Sequence, residues 1–493
     1  MVRGGLSLRR IDLVVVVCMV DEKSCCIIGA GISGLLAGCL LQKKGWKVTI
    51  FERQGCVGGR ALSFDASLLS LKQYSSLLSD FKMAVMFSNP SLEQIFEQRL
   101  LDGFYLDLGY HAIGGGEKSN LNEALSCIDE HALFLESAVG MIEHDDVRYP
   151  FLSRMAKVSV LPSILRLVFA GEKKLAQLDS VSVEETIKRY DKPKLRAILE
   201  VFSRSISTLN DLSQISTGEM LRAQRNLYRG SAPVGYPVGG LGAVNEKLVS
   251  RFENLGGRLF LNTSVEKIIV KHNTARGVVV DGKDLFFDAV IYSGLVQDLS
   301  SLFEPGEVDE KYASYLSELK PTASLCAYYA LSNLDSELIG KTFHFLERDT
   351  GLVGCDVVGM IDCMTASQDS GLAPKDKFLV QAYVICTPEE LRDEKTRLLL
   401  RKMLDDNMAR LVPGFEEDLL WSLYPAVWHL DGVAKTIFNE KPEIISPVEN
   451  LFLVGDCVKA PGIGYNCAVN SARILSGSLE YYWSLSNFYR KKI

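Results

Sequence analysis

Six consecutive residues near the N-terminus have the types and spacing of a dinucleotide-binding turn. They are GAGISG at positions 29–34, and Glu52 lies 18 residues after Gly34. In such a turn Gly29 permits the tight bend, Gly31 lets the backbone approach a pyrophosphate, and Gly34 lets a helix pack closely on a strand. A helix that begins there presents unbonded N–H groups and a partial positive charge to phosphate. The pattern therefore predicts a dinucleotide site.

Glu52 and the residues after it distinguish one dinucleotide from another. A carboxylate at the end of a second strand accepts hydrogen bonds from ribose hydroxyls, and its charge repels the extra phosphate of NADP. Glu52 therefore indicates FAD or NAD. Arg53 and the turn Gly58-Gly59-Arg60 add bare backbone and a guanidinium that suit a second stretch of diphosphate. Taken alone this second turn reads as an ordinary loop, but beside Glu52 it favours FAD.

The hydropathy pattern around these residues predicts the elements that must position them. Residues 25–28, 35–44 and 46–52 read as strand, helix and strand. This βαβ unit implies a parallel sheet. A later stretch, at 240–255, reads as a helix that begins at glycine. The strands predicted after it are 258–261, 265–271, 275–281 and 285–292.

The remaining chain divides between helical and strand-like patterns. Residues 126–230 are mostly helical in period, and the later part adds apolar runs that suit a mixed or antiparallel sheet. The predicted helices are 183–190, 194–205, 217–227, 388–410 and one that begins at about Asn466. The predicted strands are 324–331, 355–361, 378–386 and 451–454.

Three separated blocks of the sequence together carry a family resemblance. They are GAGISG with FERQGCVGGRA, then YPVGGLGAVNEKLVSRFENLGGRLFLNTSVEKIIV, and finally LFLVGDCVKAPGIGYNCAVNSA. In this order they resemble the superfamily of flavin-containing amine oxidases and phytoene desaturases. The resemblance implies FAD as the cofactor and an α/β fold. In that fold a Rossmann-like FAD-binding domain of the glutathione reductase type carries an inserted α+β substrate domain.

The resemblance and the pattern together predict a discontinuous domain organisation. The FAD-binding domain is expected at 21–125, 231–300 and 440–493, and the substrate domain, with a helical insertion and a mixed sheet, at 126–230 and 301–439. Residues 1–20 are expected to form an N-terminal extension. Its arginines and apolar run have the outline of a secretory signal, but the run is too short to span a bilayer. A true start at Met19 or a loose tail is the favoured reading.

Position by position, the resemblance also assigns cofactor contacts. It implies that Val265 contacts the adenine through its backbone, that Asp456 bonds the ribityl and pyrophosphate region, and that residues 462–464 run beside the isoalloxazine ring. A carboxylate at the end of a buried strand fits such a role, because its burial is costly unless polar groups satisfy it. The alternative is that Asp456 caps the last helix. The predicted cofactor-binding residues are Gly29, Gly31, Ser33, Gly34, Glu52, Arg53, Gly58, Gly59, Arg60, Val265, Gly455, Asp456, Gly462, Ile463 and Gly464.

Such a site is suited to hydride transfer between a substrate C–H or C=C and flavin N5, with the cofactor supplying the redox step. Where a proton also moves, the candidate residues are His111, in LGYHAIGGG, and His429 with Asp431, in WHLDG. A single histidine is more often structural, and no metal site is predicted.

The C-terminal block places the resemblance within the superfamily. The sequence APGIG followed by a helix of small residues looks more like carotenoid desaturases, carotenoid isomerases and retinol saturases than like amine oxidases. Amine oxidases place paired aromatic residues against the flavin. Tyr424 and Trp428 are the nearest candidates here, and a core role for both fits equally well.

The charge, the cysteine content and one basic segment of the sequence indicate which partners and which compartment suit this protein. The formal charge of -7 and the pI near 5.6 argue against nucleic acid. The twelve cysteines form no C-x-x-C pair, which suits a reducing cytoplasmic compartment. Residues 148–175 mix apolar and basic side chains, a pattern that suits either peripheral contact with an anionic membrane or a core-facing helix with solvated basic ends.

Four functions remain open. The first is a desaturase, saturase or isomerase of an apolar isoprenoid or carotenoid-like small molecule. The second is an amine or protoporphyrinogen oxidase. A flavin-binding protein without catalysis is another possibility. The last is a non-redox sugar-nucleotide mutase, which needs arginines around its substrate's diphosphate. The helical segment offers Arg196, Arg204, Arg222, Arg225 and Arg229 for that purpose.

Overall fold

A computed structural model of the chain describes residues 23–152, 162, 165–166, 169–189 and 193–490. The predicted N-terminal extension at 1–20 lies outside these residues, as does much of the basic and apolar segment at 148–175.

The strands are numbered in chain order. They are β1 (Ser24–Ile28), β2 (Lys47–Phe51), β3 (Ser63–Asp65), β4 (Met83–Asn89), β5 (Tyr105–Asp107), β6 (Ile113–Gly114), β7 (Phe134–Ser137), β8 (Val139–Glu143), β9 (Asp146–Arg148), β10 (Val234–Pro237), β11 (Arg258–Phe260), β12 (Val265–Lys271), β13 (Thr274–Val280), β14 (Lys283–Phe286), β15 (Ala289–Tyr292), β16 (Ala323–Leu331), β17 (Thr342–Glu347), β18 (Val357–Asp362), β19 (Phe378–Cys386), β20 (Leu419–Val427) and β21 (Leu451–Leu453).

The helices are numbered in the same way. They are α1 (Ile32–Lys43), α2 (Leu71–Asp80), α3 (Leu92–Glu97), α4 (Asn120–Ser126), α5 (Glu172–Ala176), α6 (Val183–Arg189), α7 (Pro193–Ser207), α8 (Thr217–Arg229), α9 (Gly240–Asn254), α10 (Glu310–Glu318), α11 (Pro388–Arg392), α12 (Glu394–Leu411), α13 (Phe415–Asp418) and α14 (Tyr465–Arg490).

A five-stranded parallel sheet has the order β11-β2-β1-β15-β21. Its strands come from the N-terminal, central and C-terminal parts of the chain. Cys25, Cys26 and Ile27 of β1 are inaccessible to solvent, as expected for a strand that is covered on both faces. Helix α1 follows β1 and packs against α9 and α14. The turn between β1 and α1 therefore lies at the carboxyl edge of the sheet, where ligands bind in this architecture.

An eight-stranded sheet has the order β4-β20-β16-β19-β18-β17-β8-β9 and is antiparallel except where β17 pairs with β8. Its side chains alternate between two hydrophobic cores. On β16, Leu325 and Ala327 point into a core shared with α12, whereas Cys326 and Tyr328 belong to the core shared with the parallel sheet. The large sheet thus separates the two cores. Strand β4, which lies within 21–125, pairs with β20 in this sheet.

The helical segment has a small core of its own. Its buried residues are Val183, Leu199, Leu212, Ile215 and Met220, and Ile463 packs against it from the C-terminal block. Helix α7 contacts β18 of the large sheet. The helical segment therefore borders both the large sheet and the predicted cofactor loop at 462–464.

Two predictions about elements are wrong, and a third is incomplete. The helices predicted at 183–190, 194–205 and 217–227 are present as α6, α7 and α8, but residues 126–230 also contain β7, β8 and β9. The predicted strand at 285–292 is two strands in different sheets, since β14 pairs with β13 whereas β15 pairs with β1 and β21. Asp288 lies between them and accepts hydrogen bonds from the backbone N–H and the hydroxyl of Ser24, both at 2.9 Å. The predicted helix at 388–410 is two helices. Asp393 interrupts it and caps the second by accepting a hydrogen bond from the N–H of Thr396 at 2.8 Å.

Candidate active site

The glycine turn after β1 is held in a conformation that larger residues cannot adopt. Gly29 has a φ of +103°, and a Cβ on Gly34 would lie 2.2 Å from the carbonyl oxygen of Gly29. Gly31 forms a parallel bridge with Gly58, and a Cβ on Gly59 would lie 3.1 Å from the Cα of Gly31. The two glycine turns of the sequence are therefore in contact, and together they form a cradle of bare backbone.

The Glu52 carboxylate fixes this cradle. One of its oxygens accepts a hydrogen bond from the N–H of Ala30 at 2.7 Å, and the other accepts one from the N–H of Gln54 at 2.9 Å. Glu52 is only 8% exposed, but it lines the adjoining cavity. Because each carboxylate oxygen can accept a second hydrogen bond, both oxygens keep a free lone pair for a ligand hydroxyl.

A cavity of about 490 Å³ lies beside the cradle. It brings together predicted cofactor residues from all three sequence blocks, whereas Gly34 lies buried beneath the turn. Ser33 is 4% exposed, and its hydroxyl lies 2.9 Å from that of Ser293. The predicted cofactor residues that line the cavity are Gly29, Gly31, Ser33, Glu52, Arg53, Gly58, Gly59, Arg60, Val265, Gly455, Asp456, Gly462, Ile463 and Gly464.

Arg60 and Asp456 form an ion pair across the cavity wall. The Arg60 guanidinium also donates to the carbonyl of His429 at 2.9 Å, and the second Asp456 oxygen accepts from the N–H of Gly432 at 2.7 Å. Burial opposes charge on Asp456, but the Arg60 guanidinium outweighs it and holds the pKa of that carboxyl well below its usual range. Asp456 precedes the first residue of α14 by nine positions and does not cap that helix.

The three predicted proton-transfer residues have different surroundings. The Nε2 of His111 lies 3.0 Å from the carbonyl of Arg60 and 2.9 Å from that of Leu108, so this cavity-lining ring clamps the Gly-Gly-Arg turn. Asp431 also lines the cavity; it is buried against Lys441 at 3.3 Å and accepts from the N–H of Gly464 at 3.3 Å. Burial raises the pKa of Asp431, although Lys441 favours its charged form.

His429 differs from the other two because it is not among the residues that line the cavity. Burial, and then the charge of Arg60, lower the pKa of its imidazole to about 4. The structure thus brings His111 and Asp431 to the cavity and leaves the His429 ring behind its wall.

The part of the cavity away from the cradle is walled by the helical segment and the large sheet. Helix α7 contributes Phe202 and Ile206, and α8 contributes Ala223 and Leu227. Sequence reasoning missed the polar residues of this wall because they lie on strands and helices that meet only in the fold; the position of Tyr110 next to His111 was the one local signal. These residues are Tyr110, Ser205, His344 and Tyr383.

Two family profiles match the chain. That of an NAD(P)-binding Rossmann-like domain matches residues 27–98, and that of the flavin-containing amine oxidoreductases matches residues 94–475, which is more than half of the chain. The chain belongs to the flavin-containing amine oxidoreductase family. The predicted resemblance to the amine oxidase and phytoene desaturase superfamily is confirmed.

Relatives of this flavin-containing oxidoreductase include proteins of carotenoid metabolism. The lycopene-forming phytoene desaturase of Pseudescherichia vulneris is 24% identical over 504 residues, which cover 92% of this chain and 98% of that protein. The chloroplastic prolycopene isomerase of Arabidopsis thaliana is 23% identical over 255 residues, which cover 48% of this chain and 40% of that protein.

Solved structures share the fold. An oxidoreductase from Methanosarcina mazei has a TM-score of 0.66 at 19% identity and matches over 92% of this chain and 99% of its own. Wild-type putrescine oxidase bound to putrescine has a TM-score of 0.59 at 16% identity, over 94% of this chain and 99% of its own. The predicted α/β class with a Rossmann-like domain is confirmed.

The enzyme is an FAD-dependent oxidoreductase, as predicted. The cavity fits that cofactor in two ways. The glycine cradle leaves backbone open to a diphosphate. In addition, the hydroxyl of Tyr465 and the side-chain oxygen of Asn466 are buried in the cavity wall without a hydrogen-bond partner in the described part of the chain. Buried polar atoms of this kind are expected where a polar ligand belongs.

The arginines of the helical segment do not face the cavity of this family member. Arg222 pairs with Asp179 and Glu172, and Arg204 donates to the carbonyl of Asn210 at 2.8 Å. Only Arg53 and Arg60 appear among the arginines that line the described cavity. The arginine-lined pocket that a sugar-nucleotide mutase would need is therefore missing from the described residues.

Tyr424 and Trp428 pack in the hydrophobic core and do not face the cavity. Tyr424 is 2% exposed, donates to Asp405 at 2.6 Å and packs edge to face on Tyr329 in the second core. Trp428 packs against the same core. Neither lines the cavity, so the aromatic pair that amine oxidases place beside the flavin is not supplied by these residues.

Proposed function

We propose that this enzyme is a phytoene desaturase-like oxidoreductase that transfers hydride between a C–H or C=C of an apolar isoprenoid or carotenoid-like molecule and FAD. The observation that carries the proposal is the continuity of the cavity. One wall is the glycine cradle, and another is the apolar face of α7 and α8, with Phe202, Ile206 and Leu227. An apolar substrate placed against those helices lies in the same cavity as the cofactor site.

The residues of the cradle would hold FAD as follows. The backbone of Gly29 and Gly31 and the start of α1 would bind the pyrophosphate, and Glu52 would accept hydrogen bonds from the ribose. Val265 would contact the adenine through its backbone. When bound, FAD supplies hydride acceptance or donation at its flavin ring.

The C-terminal block would position the flavin end. Asp456 and Arg60 form an ion pair, and Asp431 accepts a hydrogen bond from the N–H of Gly464. Gly462, Ile463 and Gly464, which line the cavity, would then lie beside the isoalloxazine ring. In this arrangement His111 acts as a positioning residue through its hydrogen bonds to the Gly-Gly-Arg turn, rather than as an acid or base.

A comparison of two substrate classes tests the proposed function. Purified FAD-loaded enzyme is mixed with phytoene in detergent micelles or with putrescine, in air-saturated buffer that also contains a soluble quinone, so that oxygen or the quinone reoxidises the reduced flavin after each step. We expect a shift of polyene absorbance to longer wavelength with phytoene, because each new double bond extends the conjugation, and no peroxide with putrescine. Rapid peroxide release with putrescine and an unchanged polyene would contradict the proposal and favour the amine oxidase alternative.

The Leu227→Asp substitution is expected to slow turnover of phytoene by about tenfold, because a carboxylate in the apolar wall loses its water when an apolar substrate enters. FAD content should fall far less than turnover, since Leu227 belongs to the part of the wall formed by α8 and approaches the cofactor site only near Gly114 and Asn466. The matched control is Leu398→Asp, the same substitution at a side chain that is 50% exposed on α12. Equal turnover in the two variants would remove the apolar wall from the substrate site.

We further propose that the enzyme collects its substrate at an anionic membrane surface. No helix of the described residues is long and apolar enough to cross a membrane. Within 148–175, however, Phe169 is 81% exposed and Leu165 is 47% exposed, and Arg166 lies between them. Exposed apolar side chains beside basic ones suit insertion at the headgroup boundary.

Sedimentation with phosphatidylserine vesicles measures this contact. We expect the enzyme to sediment with anionic vesicles at low salt and less with neutral phosphatidylcholine vesicles. The Phe169→Ser variant should bind several-fold more weakly, whereas Phe438→Ser, at a side chain 79% exposed elsewhere, should bind like the parent. Equal sedimentation of both variants would exclude a role for Phe169.

A further inference from the structure

Five cavity-lining residues around Met360 form a group that the proposed hydride transfer does not use. They are Tyr110, Ser205, His344, Met360 and Tyr383, referred to below as the Met360 pocket. His344, Met360 and Tyr383 are paired across β17, β18 and β19, so they form one row on a single face of the large sheet. Ser205 reaches the row from α7, and the ring of Tyr110 packs on that of Tyr383 with centroids 4.5 Å apart and planes tilted by 32°.

The polar atoms of the Met360 pocket have poor hydrogen bonds. The hydroxyls of Ser205 and Tyr383 lie 3.5 Å apart, and they reach the Met360 sulfur at 3.4 and 3.6 Å. Hydroxyl hydrogen bonds are normally near 2.7–2.8 Å, on the general scale for O–H···O contacts, and a thioether is a weak acceptor. The Nδ1 of His344 has no partner within the described ranges.

Two of these polar groups are deeply buried, and Ser205 is half-buried. Tyr383 is 4% exposed and His344 is 2% exposed. Buried polar groups in native proteins are nearly always satisfied, so the unpaired Nδ1 of His344, beside two hydroxyls whose hydrogen bonds are long, points to a missing partner. Because all of these residues line the cavity, the partner is a group that enters through it.

The charges around the Met360 pocket determine whether the entering group can be an anion, a cation or an uncharged group. Burial lowers the pKa of His344 to about 4, so the imidazole is neutral at physiological pH, and the pocket has no cationic side chain to hold an anion. A cation would need a carboxylate. The nearby carboxyl of Asp362 does not line the cavity, and its oxygens already accept from Thr342 at 3.0 Å, from the N–H of Met364 at 2.8 Å and from Tyr110 at 3.4 Å.

We propose that the Met360 pocket binds one uncharged oxygen substituent, a hydroxyl or a carbonyl, of an otherwise apolar substrate. The inference rests on the proposed function, because the neighbouring wall of Phe202, Ile206 and Leu227 would hold the hydrocarbon part. Tyr383 and Ser205 donate to the oxygen or accept from it, and His344 completes the set through Nδ1. By binding this oxygen, the pocket determines which part of the substrate's hydrocarbon chain lies beside the flavin. The pocket performs no chemical step.

Binding to the FAD-loaded enzyme tests the inference without turnover. The probes are the isoprenoid alcohol geranylgeraniol and the hydrocarbon of the same carbon skeleton without oxygen, and the readout is the perturbation of the flavin absorbance. We expect the alcohol to bind about tenfold more tightly than the hydrocarbon, since only the alcohol satisfies the buried polar groups.

The His344→Phe and Tyr383→Phe variants should each remove most of this preference by weakening alcohol binding and leaving hydrocarbon binding unchanged or tighter. The matched control is Tyr329→Phe. That tyrosine lies on β16, faces the second core and donates to Asp405 at 2.9 Å, so both affinities should equal those of the parent.

The outcomes separate the two proposals. Equal affinity of the parent enzyme for alcohol and hydrocarbon would overturn the oxygen-binding role and leave the apolar substrate in place. Tighter binding of the matching amine than of the alcohol would overturn the choice of an uncharged group. Failure of both probes to bind would overturn the proposed function, and the inference with it.

Discussion

The Asp456→Ala variant is expected to purify with little FAD and to unfold at a markedly lower temperature than the parent. Asp456 is 5% exposed, and it is the acidic partner of Arg60 and the acceptor for the N–H of Gly432. Removing the buried member of this ion pair leaves the Arg60 charge uncompensated; because the Arg60 side chain is 28% exposed, water screens part of that charge and the cost is about 2 kcal/mol. FAD content, from the ratio of flavin to protein absorbance, and thermal unfolding measure the two effects.

The pH dependence of this effect has a definite sign. The pKa of Asp456 is lowered in the folded enzyme, so the ion pair adds stability above the unfolded value, near pH 4, and that stability is lost as the pH falls further. The stability difference between parent and Asp456→Ala should therefore be largest near neutral pH and shrink in acid. A difference that grows in acid would show that Asp456 is not the ionised partner of Arg60.

Two controls separate this pair from ordinary surface charge. Asp456→Asn keeps an acceptor for Gly432 and loses only the charge, so its FAD content should lie between those of the parent and Asp456→Ala. Asp129→Ala breaks ion pairs with Lys43 and Arg251 at the surface, where solvent screens them, and should leave FAD content unchanged. Equal loss in all three variants would point to a general effect of altered charge.

The sequence predicted those parts of the site that depend on neighbours along the chain. The glycine turn, the following helix and Glu52 belong to one βαβ unit of about thirty residues, whose spacing follows from element lengths alone. The hydrogen bonds that the Glu52 side chain makes within the protein could not be predicted. The bonds from Glu52 to the N–H groups of Ala30 and Gln54 depend on the bend of the backbone after β2, which residue types do not encode.

Long-range pairings were beyond sequence reasoning. Arg60 and Asp456 are separated by 396 residues, and each was predicted to face the cofactor rather than the other. The row His344, Met360 and Tyr383 exists only because β17, β18 and β19 are adjacent, an order that hydropathy does not reveal. Strand β20 was missed for a local reason: Pro425 argues against a strand, and here it lies at a register shift in the pairing with β4.

The Glu52→Arg variant is expected to lose nearly all bound FAD while it keeps its secondary structure. The guanidinium cannot accept hydrogen bonds, so the N–H groups of Ala30 and Gln54 lose their acceptor and a ribose would lose its own. The longer cationic side chain would also have to fit a site where Glu52 is only 8% exposed. The measurements are flavin absorbance after purification and the Kd for added FAD, which should rise about a hundredfold or more.

Two further variants, Glu52→Gln and Glu97→Arg, serve as controls for the loss of FAD in Glu52→Arg. Glutamine keeps one acceptor oxygen, so it should retain more FAD than arginine does, because the loss follows the number of acceptors rather than the charge alone. Glu97→Arg makes the same change of charge at an exposed position at the end of α3 and should retain FAD fully. If Glu52→Arg binds FAD as the parent does, the ribose acid lies elsewhere, and Glu52 serves only to hold the turn between β1 and α1.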